Sequence, residues 1–141
     1  MTSYIPVALR QFVIERAAAC CEYCYYPQDA GFLAFAIDHV IAEKHGGPTT
    51  AENLALACVF CNRFKGTDLG SLDPETGQLT AFFNPRTQSW EAHFRIENGS
   101  ILPLTPEGRV TAAILRFNDP ERVQERLLLI EAGRYGVQPE S

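Results

Sequence analysis

Two C-x2-C pairs constrain this chain more than any other feature: Cys21-Glu22-Tyr23-Cys24 and Cys58-Val59-Phe60-Cys61, with 33 residues between them. Each pair can turn two thiolates toward one tetrahedral ion, and together Cys21, Cys24, Cys58 and Cys61 close a Zn2+ shell. A closed four-sulfur shell leaves no open position for water. The expected zinc is therefore structural, and its binding free energy is part of the folding free energy. The alternative is a thioredoxin-like redox pair beside an unrelated second pair. Cys20 is a fifth thiol, able to replace Cys21 if the preceding helix ends one residue early, or to serve as a small buried apolar side chain.

Five cysteines, with neither a basic start nor an apolar core in residues 1–6, imply a reducing, intracellular setting, and the expected location is cytoplasmic. No apolar run approaches the ~20 residues needed to cross a bilayer, so no membrane partner is expected. The 141 residues, 46% of them hydrophobic, suit one domain with a real core. Twelve basic residues against 17 acidic ones give a net charge of -5, which argues against nucleic-acid binding by bulk electrostatics. Ten of the 12 are Arg, however, and the planar guanidinium suits bidentate phosphate contacts, so charge alone does not decide the partner.

Pro6 suits a first helical turn, and Leu9, Phe12, Val13 and Ala17 recur at helical spacing, predicting a helix that delivers Cys21 and Cys24. Residues 32–37 form a short apolar run that reads as a buried strand ending at Asp38-His39. After the Gly46-Gly47-Pro48 break, residues 54–58 predict a second strand, hence a hairpin with a long tip. Asn62 reads as the N-cap of a following helix. Farther on, residues 78–83 and 90–96 read as strands, and Asn98-Gly99 as a tight hairpin turn. Thr105-Pro106 starts a helix with Val110, Ala113, Ile114 and Phe117 on one face. Asp119-Pro120 starts another, with Val123, Leu127 and Ile130 inward and Gly133 as stop.

Between and just after the cysteines, Ile37-Asp-His-Val40, Gly46-Gly47, Glu52-Asn-Leu54 and Cys58-Val-Phe-Cys-Asn-Arg-Phe-Lys-Gly66 stand in an order that resembles the HNH endonucleases of the zinc-supported ββα-metal (His-Me finger) type. The final His of that signature is replaced by Asn62, a variant also found in the HNH domains of RNA-guided nucleases. The resemblance covers about residues 9–68. Residues 83–86, Trp90, His93-Phe94 and Gly108-Arg109 are similar to the C-terminal half of small bacterial HNH proteins. Trp90 and His93 themselves read as packing residues rather than ligands.

The resemblance implies an α+β fold, with a ββα-metal core and a four-cysteine zinc site, and with additional C-terminal strands and helices packed on it over about 69–135. It also implies roles for individual residues. His39 acts as general base, Asp38 and Asn62 hold a catalytic metal, and Asn53 bridges the hairpin loop through its amide and keeps His39 aimed. The chemistry agrees, since an imidazole is mostly neutral at physiological pH and able to accept a proton. A carboxylate with an amide oxygen is a hard ligand pair suited to Mg2+ or Mn2+. Lys65, Arg63, His45 and Lys44 are candidate substrate contacts, although loop lysines and histidines are as often merely solvated. The expected activity is hydrolysis of DNA phosphodiester bonds, double-stranded DNA before RNA, leaving 5′ phosphate and 3′ hydroxyl ends. One site per chain predicts nicking by a monomer, with double-strand breaks requiring two chains or two visits. The rival reading is a zinc-stapled nucleic-acid or protein binding module that has lost the chemistry.

Overall fold

A computed structural model describes residues 4–136. The first helix, α1 (Val7–Arg16), starts just after Pro6, which holds the N-cap position without a side-chain bond, and buries Val13 alone. It lies on a small apolar cluster of Ile5, Val13, Leu54 and Leu56, while Phe12, expected on the inner face, is exposed. The helix does not deliver the first cysteine pair. Ala18 and Ala19 take left-handed φ values of 52° and 57°, which end it, and Cys20 pairs with Pro27 in an isolated antiparallel bridge. Cys21 and Cys24 therefore sit on a turn closed by Cys21 N–H to the Tyr26 carbonyl and Tyr25 N–H to the Cys21 carbonyl, at 2.9 and 2.8 Å.

The hairpin follows as expected, but its first strand is shorter. Strand β1 (Ala36–His39) pairs antiparallel with β2 (Leu54–Ala57), with Asp38 opposite Ala55 and His39 opposite Leu54. Residues 32–35 stay outside the sheet, and Phe32 is fully exposed rather than buried. Strand β2 is covered on both faces. The period-2 alternation of a strand sends Leu54 and Leu56 toward α1, while Ala55 and Ala57 enter the main core with the four cysteines. Helix α2 (Val59–Lys65) starts at Cys58, whose Sγ accepts from the Cys61 N–H. Asn62 is thus inside the helix, not its cap, because the thiolate-bearing residue already supplies the N-terminal acceptor.

Beyond α2, β3 (Gly70–Leu72) and β4 (Leu79–Ala81) form one antiparallel pair. Residues 90–93, expected as strand, form a single helical turn, α3 (Trp90–His93). The physical reason is Trp90: the turn lets its indole donate to the Tyr23 carbonyl at 2.9 Å and pack edge-on against Tyr25. Strands β5 (Phe94–Glu97) and β6 (Ser100–Pro103) are joined at Asn98-Gly99, both with positive φ, 51° and 83°, as a type I′ turn requires. Helix α4 (Pro106–Ile114) has Thr105 as its cap, the hydroxyl accepting from the Gly108 N–H. Arg109 on α4 clasps Asp73, after β3, through two bonds of 2.9 and 2.8 Å.

Helix α5 (Pro120–Glu131) buries Arg126 and Leu129, whereas Leu127, expected inward, is exposed. The buried guanidinium of Arg126 explains the rotation, since it donates to the Gly99 and Phe117 carbonyls and to the Tyr135 hydroxyl. The main core joins Tyr23 and the cysteines to Phe83, Trp90, Phe94 and Phe117 of the C-terminal half. Among the described residues, no helix is long and apolar enough to cross a membrane.

Candidate functional site

The four cysteines converge as their spacing predicts. Cys21, Cys24, Cys58 and Cys61 are all buried and their sulfurs lie within 4.8 Å of one another. A Zn–S bond of about 2.3 Å places tetrahedral sulfurs about 3.8 Å apart, and Cys24 Sγ and Cys58 Sγ are 3.8 Å apart. The donor set and its spacing fit a structural zinc ion. Burial pushes the Cys21 and Cys61 thiols well above their ordinary range. Burial acts the same way on Cys24, but hydrogen bonds from the other three cysteines and the charge of Arg122 outweigh it and hold that thiol well below. Cys20 stands outside the cluster. Arg122 of α5 points one amino group at the sulfurs, 3.4 Å from Cys61, 3.5 Å from Cys24 and 3.8 Å from Cys58. Nothing in the local sequence signals that contact, because 61 or more residues separate the partners.

Beside this cluster, and joined to it through Tyr23 of the first cysteine pair, the hairpin presents Asp38 and His39. Asp38 is 6% exposed; one of its oxygens accepts from the Tyr23 hydroxyl at 2.7 Å and from the Lys65 ammonium at 3.1 Å. Burial lifts the Asp38 carboxyl above the usual carboxylate range, against the opposing pull of Lys65 and the Tyr23 hydroxyl. Burial, followed by the Asp38 charge, pushes the Tyr23 phenol well above its ordinary value, so it remains a donor. Tyr23 lies between the two cysteines of the first pair, where sequence reasoning had no signal for it.

Asn53, at the end of the loop, forms a bracket across the hairpin tip. Its Oδ1 accepts from the Ile41 N–H at 3.0 Å, and its Nδ2 donates to the Ile41 and Pro48 carbonyls at 2.9 Å each. Gly47 is required beside it, because a Cβ there would collide with the Ile41 carbonyl. His39 is 9% exposed. Its Nε2 lies 2.9 Å from Thr49 Oγ1 and 3.4 Å from Glu43 Oε1. Neither Thr49 nor Glu43 stood out in the sequence, although Glu43 is four residues after His39.

Asn62 is half-buried one turn before Lys65, a spacing that puts the two on one face of α2. That face meets β1, since the Lys65 ammonium also donates to the His39 carbonyl at 3.2 Å. Lys65 corrects a sequence expectation: it is 2% exposed and bound to Asp38, not extended toward solvent to meet a phosphate. The buried carboxylate is the stronger attraction, because an ion pair removed from water is little screened. Arg63 and Lys44 are exposed. His45 Nε2 lies 3.2 Å from the Thr67 carbonyl. Lys44 and His45 line an open cleft of about 560 Å3 with Asp68, Leu69, Gly70 and Leu79, so β3 and β4 wall the approach to the hairpin tip.

Residues 21–68 match the model of the HNH endonuclease family. Neither the curated proteins nor the solved structures include a significant match to the chain.

Proposed function

From an HNH-type ββα fold at residues 21–68, we propose that the chain is a single-domain, metal-dependent endonuclease acting on DNA. The observation that carries this reading is the meeting of three groups at one edge of the zinc-type cluster. Asp38 and His39 close β1, the Asn53 bracket shapes the loop beside them, and α2, which carries Asn62, meets β1 through Lys65. The core shared by both halves of the chain supports reading it as one domain.

In this reading, His39 takes a proton from the attacking water, which the hairpin holds in line with the scissile phosphorus. Asp38 and Asn62 would hold Mg2+ or Mn2+, the hard ions their oxygens favour. Bound there, such an ion supplies Lewis-acid neutralisation of charge on the phosphate and the leaving 3′ oxygen. Lys65 and the Tyr23 hydroxyl orient the Asp38 carboxylate. A zinc ion held by Cys21, Cys24, Cys58 and Cys61 would pin the start of α2, the helix that carries Asn62. Lys44 and His45, which line the cleft, and the exposed Arg63 are proposed contacts to the nucleic-acid backbone.

The test is nicking of supercoiled plasmid with Mg2+, Mn2+ or EDTA, comparing the native chain with His39→Ala after zinc analysis. The expected outcome is metal-dependent nicking by the native protein and none by a folded, zinc-loaded His39→Ala. Equal activity in both proteins refutes the base assignment. Inactivity of the native chain on plasmid, single-stranded and branched DNA favours the binding-module reading instead, which the net charge of -5 and the Asp38–Lys65 pair support.

A further inference from the structure

His39 works as a base only if its free lone pair faces the reaction, and a neutral imidazole carries one N–H and one lone pair. Which nitrogen holds the proton is set by the partner of the other. Both side chains at Nε2 come from the hairpin tip. Thr49 Oγ1 is 2.9 Å away, Glu43 Oε1 is 3.4 Å away, and the Thr49 hydroxyl itself donates to Glu43 Oε1 at 3.1 Å.

The direction of this chain follows from proton counting. A carboxylate only accepts, and a hydroxyl has a single proton to give. Thr49 spends that proton on Glu43, so the oxygen it turns to His39 is an acceptor. Nε2 then faces two acceptors and must itself carry hydrogen. The lone pair is left on Nδ1, which has no hydrogen-bond partner among the described residues. We infer that Glu43 and Thr49 are positioning residues that hold His39 as the Nε2–H tautomer, with Nδ1 free to accept the proton of the attacking water. The inference deepens the nuclease reading and rests on it for the role of Nδ1, but the tautomer itself is a property of the folded hairpin.

The device also explains why the tip is folded as it is. Glu43 lies in a single 3-10 turn (Glu43–His45), and Thr49 lies beyond Gly47, whose backbone packs too closely on Ile41 to tolerate a side chain. The Asn53 bracket draws the two ends of the loop together through Ile41 and Pro48, which brings Thr49 within reach of His39 Nε2.

The test uses zinc-loaded full-length protein with 15N-labelled histidine at about pH 8, where an unperturbed imidazole is neutral. Long-range 1H–15N correlation spectra distinguish the two tautomers. The chain has three histidines, and His39→Gln identifies the signal. The native protein is expected to show Nε2–H for His39, favoured roughly ten to one by a hydrogen-bonded chain ending in a charge. Thr49→Val, which keeps the shape and removes the hydroxyl, leaves Nε2 only the longer 3.4 Å contact to Glu43; it is expected to admit a fraction of the Nδ1–H tautomer and to lower the nicking kcat roughly 3- to 10-fold, with little effect on KM. Thr49→Ser is expected to restore the single tautomer. Glu43→Gln gives a second reading if Thr49→Val folds poorly, since an amide can present N–H to Thr49, reverse the chain and populate both forms. An Nδ1–H tautomer in the native protein, or one unchanged tautomer in Thr49→Val and Glu43→Gln alike, overturns the inference. A native protein that holds Nε2–H and nicks no DNA refutes the nuclease reading while leaving the relay in place.

Discussion

Replacing Lys65 by Met keeps most of its volume and removes the cation that faces Asp38. The pair is nearly solvent-free, with side chains 2% and 5% exposed and a separation of 3.1 Å, so the relevant comparison is a buried ion pair broken on one side. Such a break costs about 3–5 kcal/mol, mostly because a charge is left buried without a partner. Unfolding entropy near 2 cal/mol/K per residue amounts to roughly 0.3 kcal/mol/K for this chain. The expected fall in Tm is therefore about 10–17 °C. The Tyr23 hydroxyl remains on Asp38 and keeps the loss toward the lower end. Adding Asp38→Asn to Lys65→Met removes the stranded charge, and the double variant is expected to recover at least ~2 kcal/mol relative to Lys65→Met alone. The assay is urea unfolding of zinc-saturated protein in Mg2+-free buffer. The single Trp, buried at position 90, serves as the fluorescence probe. A Lys65→Met cost below ~1 kcal/mol, the range of exposed ion pairs, together with no coupling in the cycle, would refute the placement of Lys65 against Asp38.

Two further outcomes follow from the charges around the core. Arg122→Gln removes the N–H groups facing the Cys24 and Cys61 sulfurs and the positive charge beside four thiolates. Outer contacts of this kind change metal affinity 10- to 100-fold, so a chromogenic chelator is expected to take zinc from the variant at least ~10-fold faster, and equal rates would contradict the contact. Asp73 is held below the usual carboxylate range chiefly by its hydrogen bonds from Arg109, against the opposing effect of burial. Its folded pKa is lower than its unfolded one, so its contribution is fully present above the unfolded value of ~3.9 and is lost as pH falls through the folded value. The stability difference between native protein and Asp73→Asn is expected to be constant near neutrality and to shrink below about pH 4; a difference that grows in acid would reverse the assignment.

Much of the frame was legible in the sequence because its signals are local. The C-x2-C spacing is a covalent constraint, and it predicted the sulfur cluster without any knowledge of the fold. Asn98-Gly99 supplies two positive-φ residues where a tight turn needs them, and Thr105 offers a hydroxyl where a helix starts. The β1–β2–α2 order was readable for the same reason. The errors are also physical. Asn62 looked like a cap because Asn is a good one, but Cys58 had already taken that position. Residues 90–93 looked like strand until the Trp90 indole found the Tyr23 carbonyl, 67 positions away.

The tertiary structure decided the directions in which charges point. Lys65 belongs to the buried Asp38 rather than to solvent, Arg122 belongs to the cysteine sulfurs, and Glu43 and Thr49 belong to His39. Apolar periodicity says which face of an element is buried, since burial scales with area and needs no particular partner. A buried polar group is stable only when a specific partner meets it within about 3 Å, and that partner is chosen by how the loops and helices close. The sequence by itself therefore determined the four-cysteine cluster and the strands and helix that carry Asp38, His39 and Asn62. Only the tertiary fold decided which proton donors and counter-charges surround Asp38 and His39.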